Sequence, residues 1–185
     1  NYMRQLYKKK IIIQTSNSEV YLERLKNFNT GSKDYIKWLN DKKINKLLEI
    51  RYQSHNKKSL NDWIVKLFDS NDNLLFGVFL KKENLHIGNI KAKINFQHLR
   101  AEIGILIGHR NLHGKGYGSQ SINLLCDFLF DNLKLKKIYA GTLDTNIASQ
   151  KVFKKSKFKI EAKLLDYRIL NKKFVNEIIM SRTNV

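Results

Sequence analysis

His113-Gly114-Lys115-Gly116-Tyr117-Gly118-Ser119 is the stretch on which the fold turns. Just before it, residues 101–108 read as a buried strand. Just after it, residues from about 116 to 132 carry Ile122, Leu125, Leu129 and Leu133 on one helical face, broadened by Leu124 and Phe128. Glycines in such a strand-to-helix connection let the backbone turn tightly with its N–H groups inward. The helix N-terminus beyond adds partial positive charge, and together these suit a pyrophosphate. A tight connection with nothing bound would use the same glycines. No Lys-Ser or Lys-Thr follows as in a Walker loop, and the βα context and later acidic residue of a dinucleotide fold are missing.

Toward the N-terminus, residues 19–25 alternate Val20, Leu22 and Arg24 against Tyr21, Glu23 and Leu25, a first strand. Asp34 reads as the N-cap of a helix carrying Tyr35, Ile36, Trp38 and Leu39, and a second short turn carries Leu47 and Leu48. Ser59 opens a clearer helix, with Leu60, Trp63, Ile64, Leu67 and Phe68 in one apolar stripe that predicts core packing. Residues 74–80, 86–95 and 101–108 then read as an antiparallel meander. Toward the C-terminus come a strand at 137–142, a helix from 146 to about 156, and strands near 158–165 and 174–180. The order predicts an α/β (α+β) domain, a mixed sheet with helices against it.

The chain has 185 residues, 21.8 kDa, 42% hydrophobic and 28% charged, proportions of one globular domain spanning 1–185 with 1–18 as an N-terminal extension. A formal charge of +19 and a pI near 10.0 suit nucleic acid, an anionic membrane or a phosphorylated cofactor, or reflect a Lys-, Asn- and Ile-rich composition with 0 Pro. Cys126, the single cysteine, can form no intrachain disulfide and no multi-thiolate metal site, so a reducing cytoplasm is the expected setting and a buried, inert thiol the expected state. Lys8, Lys9 and Lys10 precede only Ile11, Ile12 and Ile13, too short an apolar run for a signal peptide or a span, and no membrane partner is expected. His109 and His113 are spaced i, i+4, but the glycines around them indicate a loop without further ligands, and no metal is expected.

His113-Gly114-Lys115-Gly116-Tyr117-Gly118 resembles the Gln/Arg-x-x-Gly-x-Gly/Ala motif of the GCN5-related N-acetyltransferases (GNAT), with His113 where Gln or Arg is usual. Downstream, residues 144–158, Asp-Thr-Asn-Ile-Ala-Ser-Gln-Lys-Val-Phe-Lys-Lys-Ser-Lys-Phe, are similar to that family's Asn-x-x-Ala/Ser…Tyr-Glu-Lys-x-Gly-Phe signature. The resemblance covers about 20–180. The Tyr35-Ile36-Lys37-Trp38-Leu39-Asn40-Asp41 segment looks like the subgroup of RimJ/RimL-type and amino-sugar-nucleotide acetyltransferases.

The resemblance implies a mostly antiparallel mixed sheet splayed between its fourth and fifth strands, with helices on both faces and acetyl-CoA as cosubstrate. In it the pantetheine arm lies in the splay. A backbone N–H near Leu106 or Ile107 polarises the acetyl carbonyl, Gly104 and Gly108 keep backbone accessible, and N–H groups of His113, Gly114, Lys115, Gly116, Tyr117, Gly118 and Ser119 hold the pyrophosphate. Asn146 hydrogen-bonds the pantetheine while capping its helix, with Ser149 at N3. Glu102 is the candidate general base, its alternative being a surface ion pair with Arg100 or a lysine. The usual Tyr acid is Phe153 here, leaving Ser149, Tyr139, Tyr117 or water. The implied reaction is direct acetyl transfer to a primary amine of an anionic small molecule, preferably an amino-sugar nucleotide. A protein N-terminus, or a non-catalytic nucleic-acid-binding module, is the alternative; a homodimer fits either enzyme reading, while nucleic acid is not an expected partner of the enzyme.

Overall fold

Val20, Leu22 and Arg24 are buried on one side of β2 (Val20–Arg24), where the Arg24 guanidinium lies 4.5 Å from the Phe68 ring centroid and donates to the Phe68 carbonyl at 3.1 Å. This computed structural model describes residues 10–31 and 33–184. β1 (Ile12–Ile13) pairs antiparallel with β2, so the stretch read as an extension supplies a strand and places Ile11 in the core; Lys8 and Lys9 lie outside the described residues.

β3 (Asn73–Leu80), β4 (Leu85–Asn95) and β5 (Arg100–Ile107) form the expected meander, followed by β6 (Lys137–Leu143), β7 (Lys159–Leu170) and β8 (Lys173–Thr183). The single eight-stranded sheet runs β1-β2-β3-β4-β5-β6-β8-β7, and every neighbour is antiparallel except β5 with β6. That parallel pair joins only Arg100↔Lys137, Ala101↔Ile138 and Glu102↔Tyr139, although both strands continue, so they part beyond Glu102. Asn171 and Lys172, both with positive φ, turn β7 into β8 and extend the final hairpin beyond the span predicted from hydrophobicity.

Helices cover both faces. α1 (Asp34–Asn40), α2 (Lys42–Asn45) and α3 (Lys57–Asp69) pack Tyr35, Trp38, Leu39, Leu60 and Ile64 against Leu75. α4 (Tyr117–Asp131) and α5 (Ile147–Lys155) cover the other face, with Ile122, Leu125 and Leu129 fully buried and Phe153 beside Phe158. The caps shift two starts: Lys33 precedes α1, making Asp34 its first residue, and Asn56 caps α3 with Ser59 completing a capping box at N3. Trp63, expected in the core, is 38% exposed. No helix of the described residues is long and apolar enough to cross a membrane.

Candidate active site

The parting of β5 from β6 opens a cleft of about 270 Å³. Glu102 reaches it from β5, Asn146, Ser149 and Phe153 from α5, and Thr142 from β6. The register decides which backbone groups face it. Gly108 N–H donates to the Ile87 carbonyl at 2.8 Å, and because an antiparallel ladder alternates, Gly104 and Leu106 also direct their N–H groups at β4. Ile103, Ile105 and Ile107 therefore direct theirs away from β4; the Ile103 N–H completes the last rung with β6 at Tyr139, and those of Ile105 and Ile107 face the cleft.

This corrects two expectations. Ile107, with Ile105, offers the amide that Leu106 was expected to share, and Leu106 contributes its side chain to the opposite chamber. Gly108 is closed on both counts, since its N–H is taken and a Cβ there would lie 1.9 Å from the Trp38 ring. Gly104 also turns its N–H to β4, but its side-chain position is open, with nothing within 4 Å of where a side chain would begin.

The glycine loop closes against the end of β5. His113 Nε2–H donates to the Ile107 carbonyl at 2.8 Å, which gives the unusual histidine a structural task of pinning the loop. Gly114 and Gly116 have φ of +79° and +88°, conformations that favour glycine, and Gly116 is the N-cap of α4. No side chain caps that helix, and the Gln120 N–H is the one that returns to the Gly116 carbonyl. The N–H groups of Tyr117, Gly118 and Ser119 thus remain for an anion, while Ser119 Oγ turns back to the Gly116 carbonyl at 2.9 Å. Gly118 serves packing, because a Cβ there would lie 3.2 Å from Val152 of α5. Lys115 is exposed, and Lys155, which the sequence did not single out, brings Nζ within 3.7 Å of the position a Gly116 side chain would take. The cradle and the unpaired edge of β5 fit a phosphorylated, extended cofactor arm.

Asn146 caps α5 as expected, its Oδ1 accepting the Ser149 N–H at 3.2 Å. Glu102 is exposed, opposite Lys93 and beside Tyr139, and makes no ion pair among the described residues, so its expected structural alternative is not formed. Glu177, missed in the sequence, is the second carboxylate of the cleft. It is 7% exposed, held bidentately by Arg168 at 3.1 Å, and fills the space above Gly141, where a Cβ would meet Oε1 at 2.2 Å.

On the other side of β5 a chamber of about 480 Å³ lies beneath α1 and α3, walled by Tyr35, Leu39, Leu60, Trp63 and Leu106. Lys91 and Gly104 border both cavities. Arg51 and Tyr52, from the turn Glu49–Tyr52, donate to the Ile169 carbonyl at 3.0 and 2.8 Å and tie the β7–β8 hairpin to the loop beside the chamber. His86, beneath Trp38, stacks on Phe79 at 4.8 Å; burial lowers its pKa to about 4, opposed by hydrogen bonds with Asn89 and Gly88. Burial likewise pushes the Cys126 thiol up to about 12, as an inert core residue requires. Among the described residues no cluster of metal-ligating side chains occurs.

The family described as "Acetyltransferase (GNAT) domain" matches residues 24–159. An uncharacterised N-acetyltransferase, p20, of Bacillus licheniformis is 34% identical over 93 residues, which are 50% of this chain and 52% of that protein. The chain thus spans about half the length of that curated relative. In fold it is similar to the spermidine N-acetyltransferase of Vibrio cholerae solved with CoA and spermine, at TM-score 0.79 and 22% identity over 90% of this chain and 96% of that one. The microcin C7 self-immunity acetyltransferase MccE, solved with acetyl-CoA and AMP, superposes at TM-score 0.77 and 22% identity over 91% and 94%.

Proposed function

The chain belongs to the GNAT acetyltransferase family, and from that membership we propose that it transfers an acetyl group from acetyl-CoA directly to a primary amine seated in the chamber beneath α1 and α3. The observation that carries this reading is the parting of β5 and β6 after Glu102↔Tyr139, which leaves inward-facing amides between an anion cradle and a chamber. When bound, acetyl-CoA supplies the thioester electrophile. The Tyr117, Gly118 and Ser119 amides hold its pyrophosphate, with Lys155 adding charge. Ile105 and Ile107 N–H groups hydrogen-bond the arm and its carbonyl. Glu102 takes the amine's proton directly or through water, and the Ser149 hydroxyl hydrogen-bonds at the sulfur end.

An amino-sugar nucleotide is the acceptor we favour, in keeping with the subgroup resemblance of α1. Lys91 lines the chamber and no carboxylate does among the described residues, which supports an anionic acceptor over a polycation. A homodimer closed through the β7–β8 hairpin belongs to the same reading, and so does a cytoplasmic setting.

Thiol release from acetyl-CoA, measured against an amino-sugar nucleotide, a ribosomal-protein N-terminal peptide and spermidine, tests the proposal. Turnover of the nucleotide sugar is expected, with kcat/KM falling as salt rises. Glu102→Gln should lower kcat by roughly two to four orders of magnitude with CoA affinity unchanged. Turnover of the peptide alone would overturn the acceptor, and salt-dependent DNA binding without turnover of any amine would overturn the enzyme.

A further inference from the structure

The chamber's apolar wall contains one polar side chain that the fold does not satisfy. Asn89, in β4, is 4% exposed and stands opposite Leu106 of β5. Its Oδ1 accepts from His86 Nε2 at 3.1 Å, whereas its Nδ2 is buried with no partner among the described residues. A buried amide left half-paired is a cost to the fold that a ligand's polar group can remove. His86 is fixed in turn between Phe79 and Trp38, with ring centroids at 4.8 and 5.1 Å, and burial keeps it uncharged at neutral pH. The inner end of the carboxamide is therefore anchored from below.

The neighbours define what could satisfy it. Asn89 and Lys91 alternate along β4 on the chamber side, opposite Leu106 and Gly104, so the amide lies one strand away from the empty side-chain position of Gly104 and its neighbour Ile105. The same chamber is lined by Tyr35, Leu39, Leu60 and Leu75, which offer an apolar surface to a compact body. Resting on the acetyltransferase reading, we infer that Asn89 is a specificity-determining residue. Its Nδ2–H donates to a hydroxyl oxygen on the carbon next to the acceptor amine, which makes the acceptor class vicinal amino alcohols on a compact ring, as in an amino sugar, and disfavours simple alkyl amines.

Two small probes isolate this contact, trans-2-aminocyclohexanol and cyclohexylamine, which share the ring and the amine and differ in the hydroxyl. Binding of each to the CoA-saturated protein is measured by ligand-observed NMR, alongside turnover with acetyl-CoA. The protein should favour the amino alcohol by about tenfold or more in both readouts, and Asn89→Leu should bring the ratio close to one while CoA affinity is retained. If Asn89→Leu fails to fold, Asn89→Ser serves, and it should lose most of the discrimination. Equal treatment of the two probes by the wild type, no binding of either probe to the CoA-loaded protein, a ratio unchanged in a folded variant, or a preference for leucinamide over both would each overturn the assignment. Failure of the wild type to bind CoA at all would instead overturn the acetyltransferase reading beneath it.

Discussion

A buried imidazole is the residue whose chemistry is most altered by the fold. The unfolded chain protonates His86 near its ordinary 6.5, while burial holds the native ring near 4. The native state thus refuses a proton that the unfolded chain accepts, so this contribution is fully present above about pH 6.5 and is lost as pH falls toward 4. The loss is on the order of 3 kcal/mol. Urea midpoints measured across that window should fall steeply for the wild type and less for His86→Phe, which keeps a ring between Phe79 and Trp38; equal slopes would show that His86 is not responsible. Nothing in the sequence marked this ring, because His86 stands at a strand start like any surface histidine. Its burial comes from Phe79 on a neighbouring strand and Trp38 on a helix. Lys155 and Glu177 escaped for the same reason, while Asn146 was legible because a cap acts on its own helix.

Among the elements, the junction of β5, the glycine loop and α4 separates two uses of glycine that look alike in sequence. Gly116 is required by its φ of +88° and borders the cradle, whereas Gly118 is required by Val152 at 3.2 Å from its absent Cβ. Gly116→Val should weaken CoA binding by at least about tenfold in calorimetry, or about 1.4 kcal/mol. Gly118→Val should chiefly lower the melting temperature by pressing α4 from α5, and adding Val152→Ala should restore most of it. No rescue by Val152→Ala would place the strain elsewhere. Periodicity made α3, α4 and the β3–β5 meander legible to within a few residues, since each has one buried face. β1 was not, being only two residues long, and the strand pairing that turns Leu106 aside in favour of Ile107 could not be read before the register was known.

For the molecule as a whole, the sheet ends on β7, an edge strand whose hairpin exposes Leu165, Tyr167, Ile169 and Phe174. Such a cluster on an edge strand favours self-association. Sedimentation velocity should give a dimer that the double substitution Leu165→Glu, Phe174→Glu converts to a monomer; a wild-type monomer at every concentration would overturn it. The order of elements made the α/β fold legible but not this asymmetry of surface, which depends on which strand comes last in the sheet. One small gap has a wider consequence. Nothing lies within 4 Å of where a Gly104 side chain would begin, yet the residue borders both the cleft and the chamber. A valine there would sit comfortably in a strand and disturb no neighbour, while standing in the passage between the two cavities through which, on the proposed reading, cofactor and acceptor meet. Such a protein would pass every chaperone and protease that inspects for unfolded chains, so only the cell's metabolism would register the mutation.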